Sequence, residues 1–478
     1  MLGRTRHIHF VGIGGIGMSG IAELLANLGY AVSGSDAKAS AVTARLAALG
    51  VRVYEGHDAA HVGQADVVVV SSAVRPLNPE VIEARRRHVP VIPRAEMLAE
   101  LMRLRLGIAV AGAHGKTSTT SMIAFALERA GLDPTAVIGG RLRAFGSNAR
   151  LGRGDYMVVE ADESDGSFLR LSPAVAVITN VDREHLDHYG DFDHVCQAFV
   201  DFANAVPFYG ATIACVDDPP LRALWPRFSR RVVGYGLENP DADLLGDQVQ
   251  VSPTGASCRV VRRHGGGVGL EPLGSLTLRV PGRHNLQNAL ATVAVALELE
   301  VPFARVAAAL AEFQAPDRRF QVIGREAGVT VVDDYGHHPT EIAAVLAAAR
   351  TLGPARVVVA FQPHRYTRTR DLLAEFGQAL GRADEVVITG IYAAGEDPLP
   401  GVTVEAVAES VMSHTRAPVH LVPRLEDVAG HVAAIARAGD LVLTLGAGSI
   451  TTVGEQVLAL LRAREAAHAG GPDGRQRA

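Results

Sequence analysis

AGAHGKTSTT, residues 111 to 120, decides how the rest of this chain is read. It follows the apolar run LGIAVAG and opens a helical pattern over residues 116 to 130. Strand, glycine turn and helix therefore stand in the order of a phosphate-gripping loop. One piece is missing, because such a loop places its first glycine five residues ahead of Gly-Lys. Here that slot is Val110, and the nearest glycine is Gly112. Lys116 offers an ammonium to β- and γ-phosphates, and Thr117 offers a hydroxyl to Mg2+. Of the 46 basic residues only Lys38 and Lys116 are lysines, so a lysine at this point suggests a need for compact charge that arginine does not meet. A structural turn with a solvated Lys116 would look the same, and a second Mg2+ ligand separates the two readings.

YMVVEAD (156 to 162) offers that ligand, an apolar strand ending in Glu160. Hard cations take oxygen ligands. Asp162, Glu163 and Asp165 crowd the same turn, some of them as solvated surface charge. NVDREHLDHYGDFD then sets His185, His188 and His194 among five acidic residues. A zinc or iron hydrolase site can be drawn from these. Because they follow a phosphate loop, Mg2+ with one supporting histidine fits ATP better, and the remaining histidines read as surface residues.

Working outward, HIHFVGIGGIGMSG carries Gly12-x-Gly14-x-x-Gly17 directly after a strand and at the start of a helix (roughly 17 to 28), with Asp36 ending the next strand. Backbone amides and a helix N-terminus then face a diphosphate, with a ribose-binding carboxylate nearby. A tight turn with glycines for packing is the plainer reading, but strand, turn, helix and acid agree on a nucleotide diphosphate. Further strands are expected at VVVVSSA (67 to 73) and VPVIP (89 to 93). Residues 246 to 281 alternate as short strands around the HGGGVG turn and read as an antiparallel insertion. GRHNLQNAL puts Asn285 and Asn288 three apart at a helix start; taken alone they read as an N-cap and its neighbour. A third αβ unit begins near Gln321 with VTVVDDYGHHP, and its strands recur at RVVVAFQP, EVVITGIY and DLVLTLGAG. Asp333, Asp334, Tyr335, His337 and His338 gather at one strand end, and Arg365, Arg368 and Arg370 follow another, favouring an anion.

Composition agrees with three α/β domains. The chain has 478 residues, 48% of them hydrophobic, and a net charge of -5, with no basic run longer than Arg85-Arg86-Arg87. That excludes a broad nucleic-acid footprint. No apolar run approaches the roughly 18 residues of a membrane span, and glycines interrupt the stretch that could pass for a signal peptide. Three scattered cysteines, Cys196, Cys215 and Cys258, lack metal-ligand spacing and fit a reducing compartment. A cytoplasmic location is expected. The sequence leaves monomer and homodimer both open.

The order of HFVGIGGIGMSGIAELL, SGSD, IPRAEMLAELMR, AGAHGKTSTT, EADESDGSFL, NVDREHLDHY, PGRHNLQNALA, RRF, DDYGHHPTE and QPHRYTRTRDL resembles the Mur ligase family over nearly the whole chain. The shortened loop is that family's version of an ATP loop, usually with Thr where this chain has Ala113. The resemblance implies three domains of α/β class. Residues 1–104 would be a Rossmann-like UDP-sugar domain, and 105–320 a central P-loop-type ATPase domain with a mostly parallel sheet and a small antiparallel insertion. Residues 321–464 would be a C-terminal Rossmann-like domain that closes over both, followed by a disordered tail at 465–478.

By the same resemblance, Gly12, Ile13, Gly14, Gly15, Ile16, Gly17, Met18, Asp36 and Ser71 hold the UDP part. Gly112, Ala113, His114, Gly115, Lys116, Thr117 and Ser118 hold ATP phosphates, and Thr117, Glu160 and His185 serve Mg2+. Asn285 and Asn288 face the adenine nucleotide, Arg319 the phosphates, and Asp334 lies near the nucleotide. Tyr335, His337, Arg365 and Arg368 meet the lactyl or alanyl group, with His337 the candidate base. Lys116, Glu160, His185, Arg319, Asp334 and His337 form the expected catalytic set. Related ligases hold a second Mg2+ with a carbamylated lysine, and this chain has no lysine beyond Lys116 to serve so. The implied reaction joins L-alanine to the carboxylate of UDP-N-acetylmuramate at the expense of ATP. Attachment of a peptide to the same sugar nucleotide is the nearer alternative. A dehydrogenase binding NAD at the first glycine motif is the distant one, and it leaves Lys116, Glu160 and His185 without work.

Overall fold

The computed structural model describes residues 5–71, 73–142, 144–145, 147–252, 254–263 and 269–469. The chain divides into two compact units, most of the first running to Pro316 and most of the second starting at Asp317. Among the described residues the strands form three sheets, one for each αβ segment expected.

The first sheet holds β1 (His7–Val11), β2 (Ala31–Asp36), β3 (Arg52–Glu55), β4 (Val67–Val70) and β5 (Val91–Pro93) in the order β3-β2-β1-β4-β5. All pairs are parallel. The strand order reverses between β1 and β4, and at such a switch point the loops after the strands part to leave a crevice. Val11 pairs with Ser35, so the glycine loop leaves the sheet beside the end of β2. Helix Ile16–Asn27 follows directly.

The second sheet contains β6 (Leu106–Ala111), β7 (Thr135–Leu142), β8 (Ser147–Arg150), β9 (Tyr156–Glu160), β10 (Val175–Ile178), β11 (Ala211–Cys215), β12 (Val232–Gly236), β13 (Leu244–Ser252), β14 (Gly255–Arg263) and β15 (Leu270–Leu278). Its order is β15-β14-β13-β12-β11-β10-β6-β9-β7-β8. β6 lies between β10 and β9, parallel to both, which puts the ends of three strands side by side. The segment expected as an antiparallel insertion pairs β14 with β15 and prolongs this same sheet. The HGGGVG turn lies largely outside the described residues. After β6, helix Lys116–Arg129 is buried continuously from Thr117 to Leu127, so its TSTTS run packs inside the fold instead of facing solvent. The three cysteines are free and buried.

The third sheet, within the second unit, runs β16-β17-β21-β18-β19-β20. Its strands are β16 (Gln321–Glu326), β17 (Val329–Asp334), β18 (Arg356–Phe361), β19 (Glu385–Ile388), β20 (Val419–Leu421) and β21 (Asp440–Leu445). Only β16 and β17 pair antiparallel. Strand side chains alternate faces, and here both faces are apolar, as in covered parallel sheets. Val357, Val359 and Phe361 pack with Ile342, Leu346 and Phe376, whereas Val358 and Ala360 pack with Val432, Ile450 and Val453. The segment read as a tail from 465 is helical as far as Ala469, because helix Thr451–Ala469 continues through it; 470–478 lie outside the described residues. Among the described residues no helix is long and apolar enough to cross a membrane.

Candidate active site

At the end of β6 the short glycine loop is tied down from β10. The Ala113 amide donates to Asn180 O at 3.3 Å, so this part of the loop is held through backbone whichever side chain stands there. The His114 amide donates to Asn180 Oδ1 at 2.8 Å, and His114 O accepts from Thr179 Oγ1 at 2.6 Å and Asn180 Nδ2 at 3.0 Å. His114 Nε2 lies 2.9 Å from Asp182 Oδ2. Gly112 has φ +134°, and a Cβ there would overlap Thr179 Oγ1. Gly115 has φ +81° and sits against Asn288 Oδ1. Only glycine meets both demands cheaply. The sequence marks Thr179, Asn180 and Asp182 as loop supports only through TNVD following an apolar run.

Lys116 Nζ donates to Gly112 O at 2.6 Å, Ala113 O at 3.1 Å and Glu163 Oε1 at 2.7 Å. Burial works against its charge, but Glu163, Glu184 and Glu160 together raise its pKa. Burial also raises the pKa of Glu163, against the pull of Lys116.

The three residues expected to serve Mg2+ separate into two groups. Thr117 Oγ1 donates to Glu160 Oε1 at 3.1 Å, and Glu160 Oε2 accepts the Gly139 amide at 2.8 Å. His185 instead gathers with Glu163 and Glu184: its Nε2 is 3.2 Å from Glu184 Oε2 and 3.6 Å from Glu163 Oε1. One ligand atom from each of Glu163, Glu184 and His185 falls within 4.8 Å of the others. Glu163 Oε2 is buried with no hydrogen-bond partner among the described residues. Buried carboxylates of this kind normally have partners, and the two carboxylates supply the oxygen ligands a hard divalent cation takes, with the imidazole beside them. His194 bonds to Asp191 at the exposed start of helix Phe192–Asn204, as a surface residue would.

Asn285 and Asn288 are both buried on helix Arg283–Glu298. Asn285 is the third residue of that helix, so it is not the N-cap its sequence alone suggested. Gln287 on the same helix donates to Asp217 Oδ2 at 3.0 Å.

In the first loop, the Gly12 and Ile13 amides donate to Ser35 O at 2.8 and 2.9 Å, and the Gly14 amide donates to Asp36 Oδ2 at 2.8 Å. Asp36 therefore braces the loop with one oxygen. Ser71 Oγ lies beside Gly12. Ile13 and Met18 are buried and face the core; the side chain of Ile16 lies outside the described residues. Arg94 packs its guanidinium against Gly17 and pairs with Asp162 at 3.0 Å, joining this loop to the turn after β9.

In the second unit, Asp334 accepts the Phe320 and Gly336 amides at 2.7 Å each. Burial pushes its pKa up to about 6 despite the neighbouring Arg319. Arg318 and Arg319 place their guanidiniums 5.1 and 5.2 Å from the Tyr335 ring centroid, a cation–π arrangement. His337 Nδ1 is 3.1 Å from Tyr335 O. A carbonyl only accepts, so Nδ1 carries the proton in the neutral ring and Nε2 the lone pair. His337 packs against His364, which stacks on Tyr392 and lies 3.1 Å from Arg368 Nη1 through its Nδ1. Glu396 caps the following helix by accepting the Tyr366 and Thr367 amides, 2.6 and 3.1 Å away. Arg318, Phe320 and Arg365 all take positive φ, at 61°, 48° and 70°.

Three αβ sheets, the second with a lysine-bearing glycine loop beside clustered carboxylates, match an ATP-dependent ligase along the whole chain, and the chain belongs to the Mur ligase family. Three family models match in sequence: Mur ligase family, catalytic domain at 7–106; Mur ligase middle domain at 110–296; and Mur ligase, glutamate ligase domain at 318–448. The UDP-N-acetylmuramate--L-alanine ligase of Anaeromyxobacter sp. (strain Fw109-5) is 58% identical over 96% of this chain and 99% of that protein. The ligase of the same name from Syntrophotalea carbinolica is 54% identical over 97% of this chain and 100% of its own length. Among solved structures, UDP-N-acetylmuramate-alanine ligase MurC from Thermotoga maritima superposes with a TM-score of 0.80 at 30% identity, covering 97% of this chain and 100% of that one.

Proposed function

We propose that this protein uses ATP to join L-alanine to the lactyl carboxylate of UDP-N-acetylmuramate, releasing ADP and phosphate. The observation that carries the reading is Lys116, a largely buried ammonium directly after a braced glycine loop with three carboxylates around it. End-to-end likeness to two ligases named for that substrate pair supports it.

A carboxylate is a poor electrophile, so it must first become an acyl phosphate. The substrate carboxylate oxygen attacks the γ-phosphorus of ATP and the bond to the β-phosphate oxygen breaks. Lys116 and the loop amides offset the charge that gathers on the transferring oxygens. Mg2+, when bound, neutralises phosphate charge and aligns the oxygens; Thr117 with Glu160, and Glu163 with Glu184 and His185, are the residues that would hold it. The neutral amine of alanine then attacks the acyl carbon. In the second unit, His337 Nε2 carries the lone pair suited to take the proton released. The tetrahedral adduct collapses by expelling phosphate. Arg365 and Arg368 supply guanidinium forks for a carboxylate.

Phosphate release measured with UDP-N-acetylmuramate, ATP, Mg2+ and single amino acids tests the reading. L-Alanine-dependent release, with one new amide per ADP by mass spectrometry, is the expected result. Release that depends on a tripeptide and not on alanine would mark a murein peptide ligase. NADH formation from a reduced substrate would mark a dehydrogenase. Either outcome overturns the proposal.

A further inference from the structure

Beneath the first glycine loop the fold encloses a polar cluster that phosphoryl transfer does not use. Glu80, the second residue of helix Pro79–Arg86, is completely buried. Ser35 Oγ donates to its Oε2 at 2.6 Å, and His61 Nδ1 lies 2.9 Å from its Oε1. His57 Nδ1 is 3.4 Å from Oε2, and His9 Nε2 is 3.9 Å away. His9 Nδ1 in turn meets Ser33 Oγ at 2.8 Å, Ser33 Oγ also meets His7 Nε2 at 2.8 Å, and Tyr54 stacks on the His61 ring. Burial would push the carboxyl up, yet His9, Ser35 and His61 hold it down to about 2, so it stays ionised.

A buried carboxylate costs several kcal/mol in desolvation, and a well-packed apolar group in its place is often as stable. Stability alone is therefore a weak reason for its presence. Nor is the group a nucleophile device. Ser35 is fully buried, and its Oγ and the Glu80 carboxylate both approach the same nitrogen, His57 Nδ1. What Glu80 does hold is Ser35, the residue whose carbonyl accepts both the Gly12 and Ile13 amides. Asp36, next in the chain, accepts the Gly14 amide. Three consecutive loop amides thus hang from two residues at the end of β2, and Glu80 fastens one of those two.

We propose that Glu80 is a positioning residue for the sugar-nucleotide site: its buried carboxylate fixes Ser35, and Ser35 fixes the Gly12–Gly14 loop that receives the diphosphate. The inference rests on the reading of the first domain as the UDP-sugar site. A displacement of about 1 Å in such a loop weakens every amide contact it makes with a ligand.

Calorimetric titration of the full chain with UDP-N-acetylmuramate, and separately with ADP, tests it. Glu80→Gln keeps the shape and removes the charge. It should weaken UDP-N-acetylmuramate binding at least tenfold, shift the ADP affinity less than twofold, and leave kcat at saturating substrates within threefold. Ser35→Ala, which removes one hydroxyl, should weaken the same ligand, and the double variant should bind within twofold of the weaker single, as coupled neighbours do. Unchanged UDP-N-acetylmuramate binding in either folded variant overturns the proposal. So does parallel loss of ADP affinity, which is the mark of a merely structural role. If Glu80→Gln does not fold, Ser35→Ala alone decides. Failure of the unsubstituted protein to bind UDP-N-acetylmuramate overturns the reading of the first domain instead.

Discussion

Lys116→Ala should damage the fold as well as the reaction. The Lys116 side chain is 16% exposed and that of Glu163 3%, and their charged atoms are 2.7 Å apart. An exposed ion pair contributes about 0–1 kcal/mol, but removing one member of a buried pair costs about 3–5 kcal/mol because the other charge is stranded. The second figure applies here. Glu163 Oε2 already lacks a hydrogen-bond partner among the described residues, and the Gly112 and Ala113 carbonyls would lose their donor too. Protonation is the escape open to Glu163. Its pKa is raised even beside Lys116, and loss of the ammonium raises it further. A carboxyl with a raised pKa binds its proton more tightly folded than unfolded, so stability is greatest below the unfolded pKa and declines as pH rises through the folded one. The deficit of Lys116→Ala should therefore shrink as pH is lowered from 8.

Lys116→Met/Glu163→Gln, which removes both charges, should recover most of the loss, to within about 1 kcal/mol of the unsubstituted protein, yet release no phosphate. Urea unfolding followed by fluorescence of the single tryptophan, Trp225 in the first unit, measures the stabilities. A deficit below about 1 kcal/mol at pH 8, or a double variant no more stable than Lys116→Ala, refutes the reasoning.

Three further outcomes are expected. A Cβ at Gly139 would overlap the Glu160 carboxylate, so Gly139→Ala should raise the Mg2+ concentration for half-maximal activity about tenfold, an unfavourable ~1.4 kcal/mol; an unaltered Mg2+ curve removes Glu160 from metal binding. Arg365→Ala should raise the KM for UDP-N-acetylmuramate at least tenfold and the KM for ATP less than twofold, and an unchanged KM for the sugar nucleotide removes Arg365 from that role. Asp334 moves from 3.8 up to about 6 on folding. By the same sign, it contributes stability below pH 4 that is lost as pH rises through 6, about 3 kcal/mol in all. The stability difference between the native protein and Asp334→Asn, measured by urea unfolding from pH 4 to 7, should change by that order; a constant difference contradicts the raised pKa.

The signals that the sequence carried by itself were local ones. Strand, glycine turn and helix are neighbours in the chain, so the phosphate loop at 111–120 and the Gly12-x-Gly14-x-x-Gly17 motif are legible before any folding, as is the division into three αβ segments. Lys116, Thr117 and Glu160 stand out as candidates because Lys116 and Thr117 open the helix after the glycine turn and Glu160 closes a strand.

Tertiary structure decided which polar groups act together. Thr179 and Asn180 brace the glycine loop before Lys116 only because β10 lies against β6, across 65 and 66 residues of chain. The same packing sends His185 to Glu163 and Glu184 and leaves Thr117 with Glu160, while packing around the first sheet gathers His9, Ser35, His57 and His61 from separate segments about the buried Glu80. Hydrophobic periodicity says that a strand is buried but not beside which strand it lies. That choice depends on how whole layers cover one another's apolar surface, and the partners of every buried charge follow from it.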